Sequence, residues 1–438
     1  MPAEGFTLGP YLERAPRIVP LPALGRGLRT VGLLVESRGP HARVGELCEL
    51  LSSHGEPPLP LEVVGFRDGL LQSVPLGSTT GIRPGDRIVA RGGSATIQVG
   101  DGLLGRVIDG LGRPLDQRGP LEATASYPLQ PPPLNPLARD PIVSPLGTGV
   151  RAIDAMLTCG RGQRVGVFGG SGAGKSTLLG MMARGTAADI SVIALVGERG
   201  REVRGFLEHD LGEDGLRRSV VVVSTSDNPA LVRLRAAYAA TSIAEYFRDQ
   251  GKNVLLMMVS VTRFAMAQGE VGVAAGEPPT AKGYPPSVFA LLPGLLERAG
   301  NVRGRGSITG FYTVLVEGDD HSEPVADHVR AILDGHIVLS RELAARNHYP
   351  AIDILHSVSR TMPDVTEVEH RVKASRVREW MATNHASEDL VSVGAYVPGS
   401  NPRIDEALAK REAIAAFLRQ DAHDLRPIAD AIAALKAL

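Results

Sequence analysis

The 438 residues leave room for about two to four domains and at least one large buried core, which excludes a small scaffold stapled by disulfides or built on a metal. Lys plus Arg number 47 against 48 for Asp plus Glu, a formal charge of −1, and only 4% of residues are aromatic. That balance disfavours a protein whose main task is gripping nucleic acid, which needs a basic surplus and aromatic stacking platforms. A 43% hydrophobic, 22% charged composition excludes a disordered chain.

Met1 to Val19 carries Glu4, Glu13, Arg14 and Arg17 but no apolar run, so no secretory signal is expected. Nowhere do about 18 uncharged apolar residues follow one another, so the chain is not expected to be integral to a membrane. From Arg29 to Gly93, short β-type runs alternate with turn residues: Val31–Val35, Val44–Leu50, Leu61–Phe66, Leu70–Pro75 and Asp86–Ala90. Arg67-Asp68-Gly69 reads as a tight hairpin and Arg83-Pro84-Gly85-Asp86 as another turn. This many short strands predict a small closed β-barrel. Residues 100–120 are turn-rich, and the seven prolines at 128, 131, 132, 133, 136, 141 and 145 predict a stiff connection between domains rather than a core element. Cys48 and Cys159 stand far apart without a histidine cluster, which supports neither a disulfide framework nor a zinc site and fits a reducing cytoplasm.

From about 150 to 360 the texture changes. Arg164–Phe168, Ile190–Val196, Val220–Val223 and Val254–Met258 are near-continuous apolar runs, as strands buried on both faces should be. Between the last two, Val232, Ala236, Ala239, Ala240, Ile243 and Phe247 fall on one helical stripe. Repeated strand–helix–strand units predict a parallel sheet. The tail from about 370 is helix-rich, with Ile428, Ile432 and Leu435 on one face and a break at Pro398–Pro402, and reads as a small helical domain.

Directly after Arg164–Phe168 comes Gly169-Gly170-Ser171-Gly172-Ala173-Gly174-Lys175-Ser176, then the helical Thr177–Arg184. This matches the phosphate-loop pattern in its strand–loop–helix context: glycines let backbone N–H groups wrap a triphosphate, and the helix N-terminus adds positive potential. Lys175 would reach the β- and γ-phosphates and the Ser176 hydroxyl would ligate Mg²⁺. The next strand ends in Gly197-Glu198-Arg199-Gly200. A carboxylate at that edge is well placed to polarise a water for in-line attack on the γ-phosphate, a reading favoured over that of a solvated charged loop. Arg360, in Ser357-Val358-Ser359-Arg360, could stabilise transition-state charge on a neighbouring subunit's nucleotide, although the residues alone favour an exposed surface arginine.

Phe168–Leu179, Gly197–Val203, Ser260–Gln268, Gly276–Ala299 with its Gly-Tyr-Pro-Pro-Ser-Val-Phe core, and Phe311–Asp320 together resemble the type III secretion ATPases. Ser357–Pro363 and the Phe-Gly-Gly-Ser-Gly form of the loop resemble the flagellar branch, and the likeness runs from about Arg29 past Ala395. These enzymes are similar to the catalytic subunit of rotary ATP synthases. The resemblance implies an α/β architecture: an N-terminal small β-barrel (1–95), a central RecA-like P-loop ATPase domain with a parallel sheet (96–365), and a C-terminal helical domain (366–438). It further implies hydrolysis of ATP with Mg²⁺ to energise export of flagellar protein substrates. Gly169, Gly170, Ser171, Gly172, Ala173, Gly174, Lys175, Ser176 and Thr177 would bind nucleotide, with Ser176 on the metal. Glu198 aligns with the catalytic carboxylate, Arg199 with a phosphate-sensing arginine, Arg360 with an arginine finger, and Tyr349 with the aromatic on which adenine stacks. The loop 268–283 matches the segment facing the central channel of a ring.

The implied setting is a homohexamer in the cytoplasm, peripheral at the cytoplasmic face of the inner membrane through the export gate. A stalk protein would sit in its channel, a regulatory dimer near residues 1–16, and export chaperones and substrates on the helical domain; no nucleic acid is expected. The chain departs from the family at two positions: Val259 stands where the family has an aspartate that holds a water on Mg²⁺, and Gly269 where it usually has arginine. Loss of one outer support of a metal typically costs about 10–100-fold in affinity or activity. A nucleotide-binding but weakly hydrolysing ring component is therefore an alternative, as is a rotary-synthase subunit. An RNA translocase of the termination-helicase type is a third, although residues 29–93 carry one aromatic, Phe66, and no stacking strand.

Overall fold

The computed structural model describes residues 24–316 and 323–438. The N-terminal stretch read for a signal and a regulator contact, and positions 317–320 of the block beginning at Phe311, lie outside them. The chain forms two compact units, one ending at Ala95 and the other beginning at Thr96.

In the first unit six antiparallel strands, β1 (Leu24–Val31), β2 (Leu34–Arg38), β3 (Glu46–Leu51), β4 (Leu59–Arg67), β5 (Leu70–Pro75) and β6 (Arg87–Ser94), close a barrel in the order β1-β2-β5-β4-β3-β6. Side chains alternate inward and outward along a strand, so Val35, Cys48, Leu50, Leu61, Val63, Leu71 and Ile88 meet inside. The expected hairpin is present: Arg67 pairs with Leu70 across Asp68 and Gly69, both at positive φ (51° and 75°). The expected strand Val31–Val35 is not. Val31 instead pairs with Leu34 across a turn at Gly32 (φ 58°), because a glycine in the left-handed region reverses the chain more readily than it extends it.

The second unit is built on a nine-stranded sheet. After β7 (Thr96–Val99), β8 (Val107–Asp109), β9 (Ala125–Pro128), β10 (Pro145–Leu146) and β11 (Cys159–Gly160) come β12 (Arg164–Gly169), β13 (Ile190–Glu198), β14 (Ser219–Thr225) and β15 (Asn253–Val259). These are followed by β16 (Gly300–Asn301), β17 (Ser307–Leu315), β18 (Gly335–Leu339) and β19 (Ile352–Ser359). The sheet runs β19-β18-β12-β17-β15-β13-β14-β8, with β16 paired to β17. From β18 to β8 it is parallel; β19 is antiparallel to β18 at one edge. The four apolar runs expected as strands are β12 to β15, buried along nearly their whole length. Burial is deeper than the stripe predicted for helix Ala230–Asp249, which is covered almost all round because it lies between β13–β15 and helix Val261–Ala274.

Two readings of the middle region need correction. The turn-rich segment 100–120 contributes β8, which extends the sheet beside β14. The proline-rich segment is not a connection between domains: it lies wholly within the second unit, where Ser242 donates to the Pro128 carbonyl, Arg298 to that of Leu129 (2.6 Å) and Arg139 to that of Ala299 (2.8 Å). Prolines stiffen a chain, but its carbonyls still accept, and the buried Ser242 and Arg298 use those of Pro128 and Leu129 here. Helices Val368–Ser392, Pro402–Leu418 and Ile428–Lys436 form the C-terminal part. Their Val377, Trp380, Ile414, Phe417 and Leu435 belong to the same apolar cluster as Val165 and Leu178. Among the described residues no helix is long and apolar enough to cross a membrane.

Candidate functional site

The parallel strands β12, β13 and β15 end together at Gly169, Glu198 and Val259, and the carboxyl edge of such a sheet is where ligands bind. From β12 the chain turns through Gly170–Gly174 into helix Lys175–Gly185. Gly174, the residue before the helix, has φ 81° and ψ 22°, a left-handed conformation that glycine adopts without penalty. Gly169 and Gly170 are buried, Ser171 and Gly172 exposed. Ala173 is 1% exposed and its methyl is part of the core, so only its backbone faces a ligand. Ser176 and Thr177 are exposed at the first turn, and Thr177 bonds Asp210.

Lys175 folds back over the loop, its Nζ donating to the carbonyls of Gly169 (2.8 Å) and Gly170 (2.6 Å). Burial lowers its pKa to about 8, against the pull of Glu198. Glu198 is raised to about 7, first by burial and then by its hydrogen bond to Glu202, while Arg263, with Nε 3.5 Å from Oε1, opposes the shift. Glu202 is lowered by the same bond and accepts from the Arg199 N–H. The bond to Glu202 thus favours the protonated form of Glu198 and the ionised form of Glu202. Gly197 (φ 70°) admits this arrangement: a Cβ there would lie 2.8 Å from Arg263 Cδ. The Arg199 side chain is exposed and near Glu202 (3.7 Å).

Ser176, Glu198, Glu202 and Val259 line one cavity of about 20 Å³. Val259 closes it without an oxygen donor, its side chain packed on the main apolar cluster. Among the described residues no group of three His, Cys, Asp or Glu side chains could hold a metal. A hydroxyl and one or two carboxylates beside bound phosphates do suit Mg²⁺, which keeps several waters instead of filling an all-protein cage. A second cavity, about 290 Å³, opens between Gly174, Thr177 and Met181 on one side and Tyr349, Gln420 and Ala422 on the other. Larger cavities, of about 360 Å³ beside the C-terminal helices and about 950 Å³ in the barrel unit, hold none of the expected site residues.

Tyr349 and Arg360 flank β19, and the antiparallel pairing separates them. Ile352 pairs with Leu339, level with Gly169, whereas Ser359 pairs with Gly335 at the opposite edge. At ~3.3 Å per residue, β12 from Arg164 to Gly169 spans about 17 Å, more than an arginine side chain bridges. Arg360 is exposed and makes no ion pair among the described residues. The structure thus brings together the phosphate loop, Glu198, Arg199 and Tyr349, and leaves Arg360 apart. Gly269 lies in helix Val261–Ala274, close to Tyr284 and Pro285.

Reading the residues alone missed Glu202, Arg263 and Gln420. Arg263 carried a local signal, since Ser260 caps its helix by accepting the Arg263 N–H, but its approach to Glu198 joins that helix to the end of β13. Gln420 carried none. It is distant in sequence and reaches the site by donating its N–H to the Tyr349 carbonyl (2.9 Å).

Residues 149–359 match the nucleotide-binding domain of the ATP synthase alpha/beta family, and residues 366–437 the C-terminal domain of the type III secretion ATPase EscN. The chain is 52% identical over 416 residues to the flagellum-specific ATP synthase of Bacillus subtilis (strain 168), covering 94% of each chain. It is 52% identical over 438 residues to that of Pseudomonas aeruginosa, covering 99% of this chain and 96% of the other. Among solved structures, the assembled ATPase EscN in complex with its central stalk EscO, from the enteropathogenic E. coli type III secretion system, superposes with a TM-score of 0.87 at 46% identity, covering 94% of this chain and 98% of that one. The chain belongs to the ATP synthase alpha/beta family and, within it, to the flagellum-specific and type III secretion ATPases.

Proposed function

We propose that the chain hydrolyses ATP at the interfaces of a ring of its own copies and so energises export of flagellar, type III protein substrates across the inner membrane. The observation that carries this reading is the separation just described: phosphate loop, Glu198 and Tyr349 at one edge of the sheet, and Arg360, exposed and unpaired among the described residues, at the other. A site laid out in this way is completed by a second copy. The assembled state and central stalk of EscN support a ring, a homohexamer by family resemblance, with a stalk protein in its channel. Regulatory proteins, chaperones and cargo are further partners in this reading, with the ring in the cytoplasm against the inner-membrane export gate. The working domains are 1–95, 96–365 and 366–438; the unit boundary after Ala95 and the separate family match over 366–437 support them.

In this mechanism the N–H groups of Gly169–Thr177 cradle the phosphates and Lys175 exchanges its two carbonyl partners for phosphate oxygens. Adenine stacks on Tyr349 in the 290 Å³ cavity. Ser176 would supply a protein oxygen to Mg²⁺, which when bound would supply positive charge against that developing on the phosphate oxygens. Glu198, once ionised, orients a water and takes its proton as the oxygen bonds to the γ-phosphorus and the bond to the ADP oxygen breaks. Arg199 senses the phosphate, and Arg360 of the neighbouring copy offsets charge on the transferring group.

Steady-state phosphate release with Mg-ATP tests the proposal. Turnover should exceed that of Glu198→Gln by at least about 100-fold, the contribution expected of a general base. Turnover equal to that of the variant would instead favour a nucleotide-binding, weakly hydrolysing component, the reading that Val259 motivates.

A further inference from the structure

At the edge of the sheet away from the phosphate loop, one side chain makes four hydrogen bonds. Gln163, immediately before β12, is fully buried. Its Oε1 accepts from the Gly160 N–H (2.9 Å) and the Thr361 hydroxyl (2.6 Å), and its Nε2 donates to the Ser359 hydroxyl (3.2 Å) and the Asp334 carbonyl (3.1 Å). The same Asp334 carbonyl accepts the Arg360 N–H (3.0 Å). Ser359 in turn donates to the Thr158 carbonyl (2.8 Å). Gly335 keeps room for this arrangement: at φ 158°, a Cβ there would lie 2.5 Å from the Val358 carbonyl oxygen and 3.2 Å from Gln163 Nε2.

We propose that Gln163 is the positioning residue of Arg360, its carboxamide gripping the chain on both sides of that arginine so that the exposed guanidinium is presented in one place. A primary amide suits this task because it accepts and donates at once: Oε1 holds residue 361, Nε2 holds residue 359, and the shared carbonyl fixes residue 360 between them. Gln163 also leads directly into β12, whose other end is the phosphate loop. The strand that carries one subunit's phosphate loop is thus tied to the arginine offered to the next. The inference rests on the reading of Arg360 given above, and misplacing a catalytic group by about 1 Å can cost roughly 100-fold in rate.

Mixed rings separate the two claims. Lys175→Ala subunits keep Arg360 but have a disabled nucleotide site, and Arg360→Ala subunits keep the site but lack the arginine. Mixed while dilute and then concentrated, they should regain phosphate release that neither has alone. When the first partner carries Lys175→Ala together with Gln163→Leu, the regained rate should fall about 10–100-fold. Its own site is already disabled, so the loss acts through Arg360. Thr361→Val, which removes one of the four bonds at nearly constant shape, should give a smaller loss in the same direction, and it decides the matter should thermal melts show Gln163→Leu unfolded. Equal recovery with and without the Gln163 or Thr361 change overturns the positioning role and leaves the reading of Arg360 standing. No recovery in the first mixture overturns the reading of Arg360, and the role of Gln163 falls with it.

Discussion

At Glu198 and Lys175 one cause, burial, draws two pKa values together, to about 7 and about 8. Burial disfavours charge of either sign, so the carboxyl keeps its proton longer and the ammonium gives its proton up sooner. If Glu198 takes the proton from water and Lys175 binds phosphate as a cation, kcat/KM should rise with pH through about 7 and fall above about 8. A profile measured from pH 5.5 to 10 checks both limbs, and a flat line through 7 would remove Glu198 from the role of base. The stability signs are opposite. Glu198, raised from 4.5, favours the fold below about 4.5 and loses that contribution as pH rises through about 7. Lys175, lowered from 10.5, favours it above about 10.5 and loses that contribution as pH falls through about 8. Val259 poses a separate question at the same edge. Val259→Asp would place a carboxylate against the cavity shared by Ser176 and Glu198. The Mg²⁺ concentration for half-maximal turnover should then drop about 10–100-fold; an unchanged requirement would mean that Glu202 already gives that support.

Between elements, the crossover helices hold what the strand ends present. Helix Val261–Ala274 carries Arg263 to Glu198, and helix Pro286–Leu296 follows the loop that resembles a channel-facing segment. Both contain an interior glycine that serves no turn. A Cβ at Gly294 would meet nothing within 4 Å, and one at Gly269 only ordinary contacts at 3.7 Å and 3.8 Å. Gly294→Ala and Gly269→Ala should each stabilise the fold by about 0.5–1 kcal/mol, read as a higher midpoint in urea. Destabilisation at either position would mean that its backbone needs the freedom of glycine. The strands were legible because their period is local: β12 to β15 are apolar runs, and the Asp68-Gly69 turn announces its hairpin. The proline-rich segment was misread because composition reports stiffness and says nothing of which surface a stiff segment lies on. Contacts with residues far along the chain, Arg298 to the Leu129 carbonyl and Arg139 to that of Ala299, decide that.

For the molecule as a whole, the proposed role of Arg360, which lies apart from the phosphate loop, would make turnover a property of the assembly. Phosphate release per chain should increase with protein concentration until rings are complete, and Arg360→Ala should bind ATP yet fail to turn it over at any concentration. Activity per chain that is constant upon dilution to the monomer would count against an interface site. The sequence by itself determined the phosphate loop, the alternation of strands and helices behind it, the closed barrel and the family resemblance, because each rests on residues adjacent or evenly spaced along the chain. Only the tertiary structure decided that Glu202 hydrogen-bonds Glu198, that Gln420 meets Tyr349, that the C-terminal helices share the core of Val165 and Leu178, and that β19 carries Tyr349 and Arg360 to opposite edges. Those facts follow from strand register and crossover packing, which bring together residues that no local pattern relates.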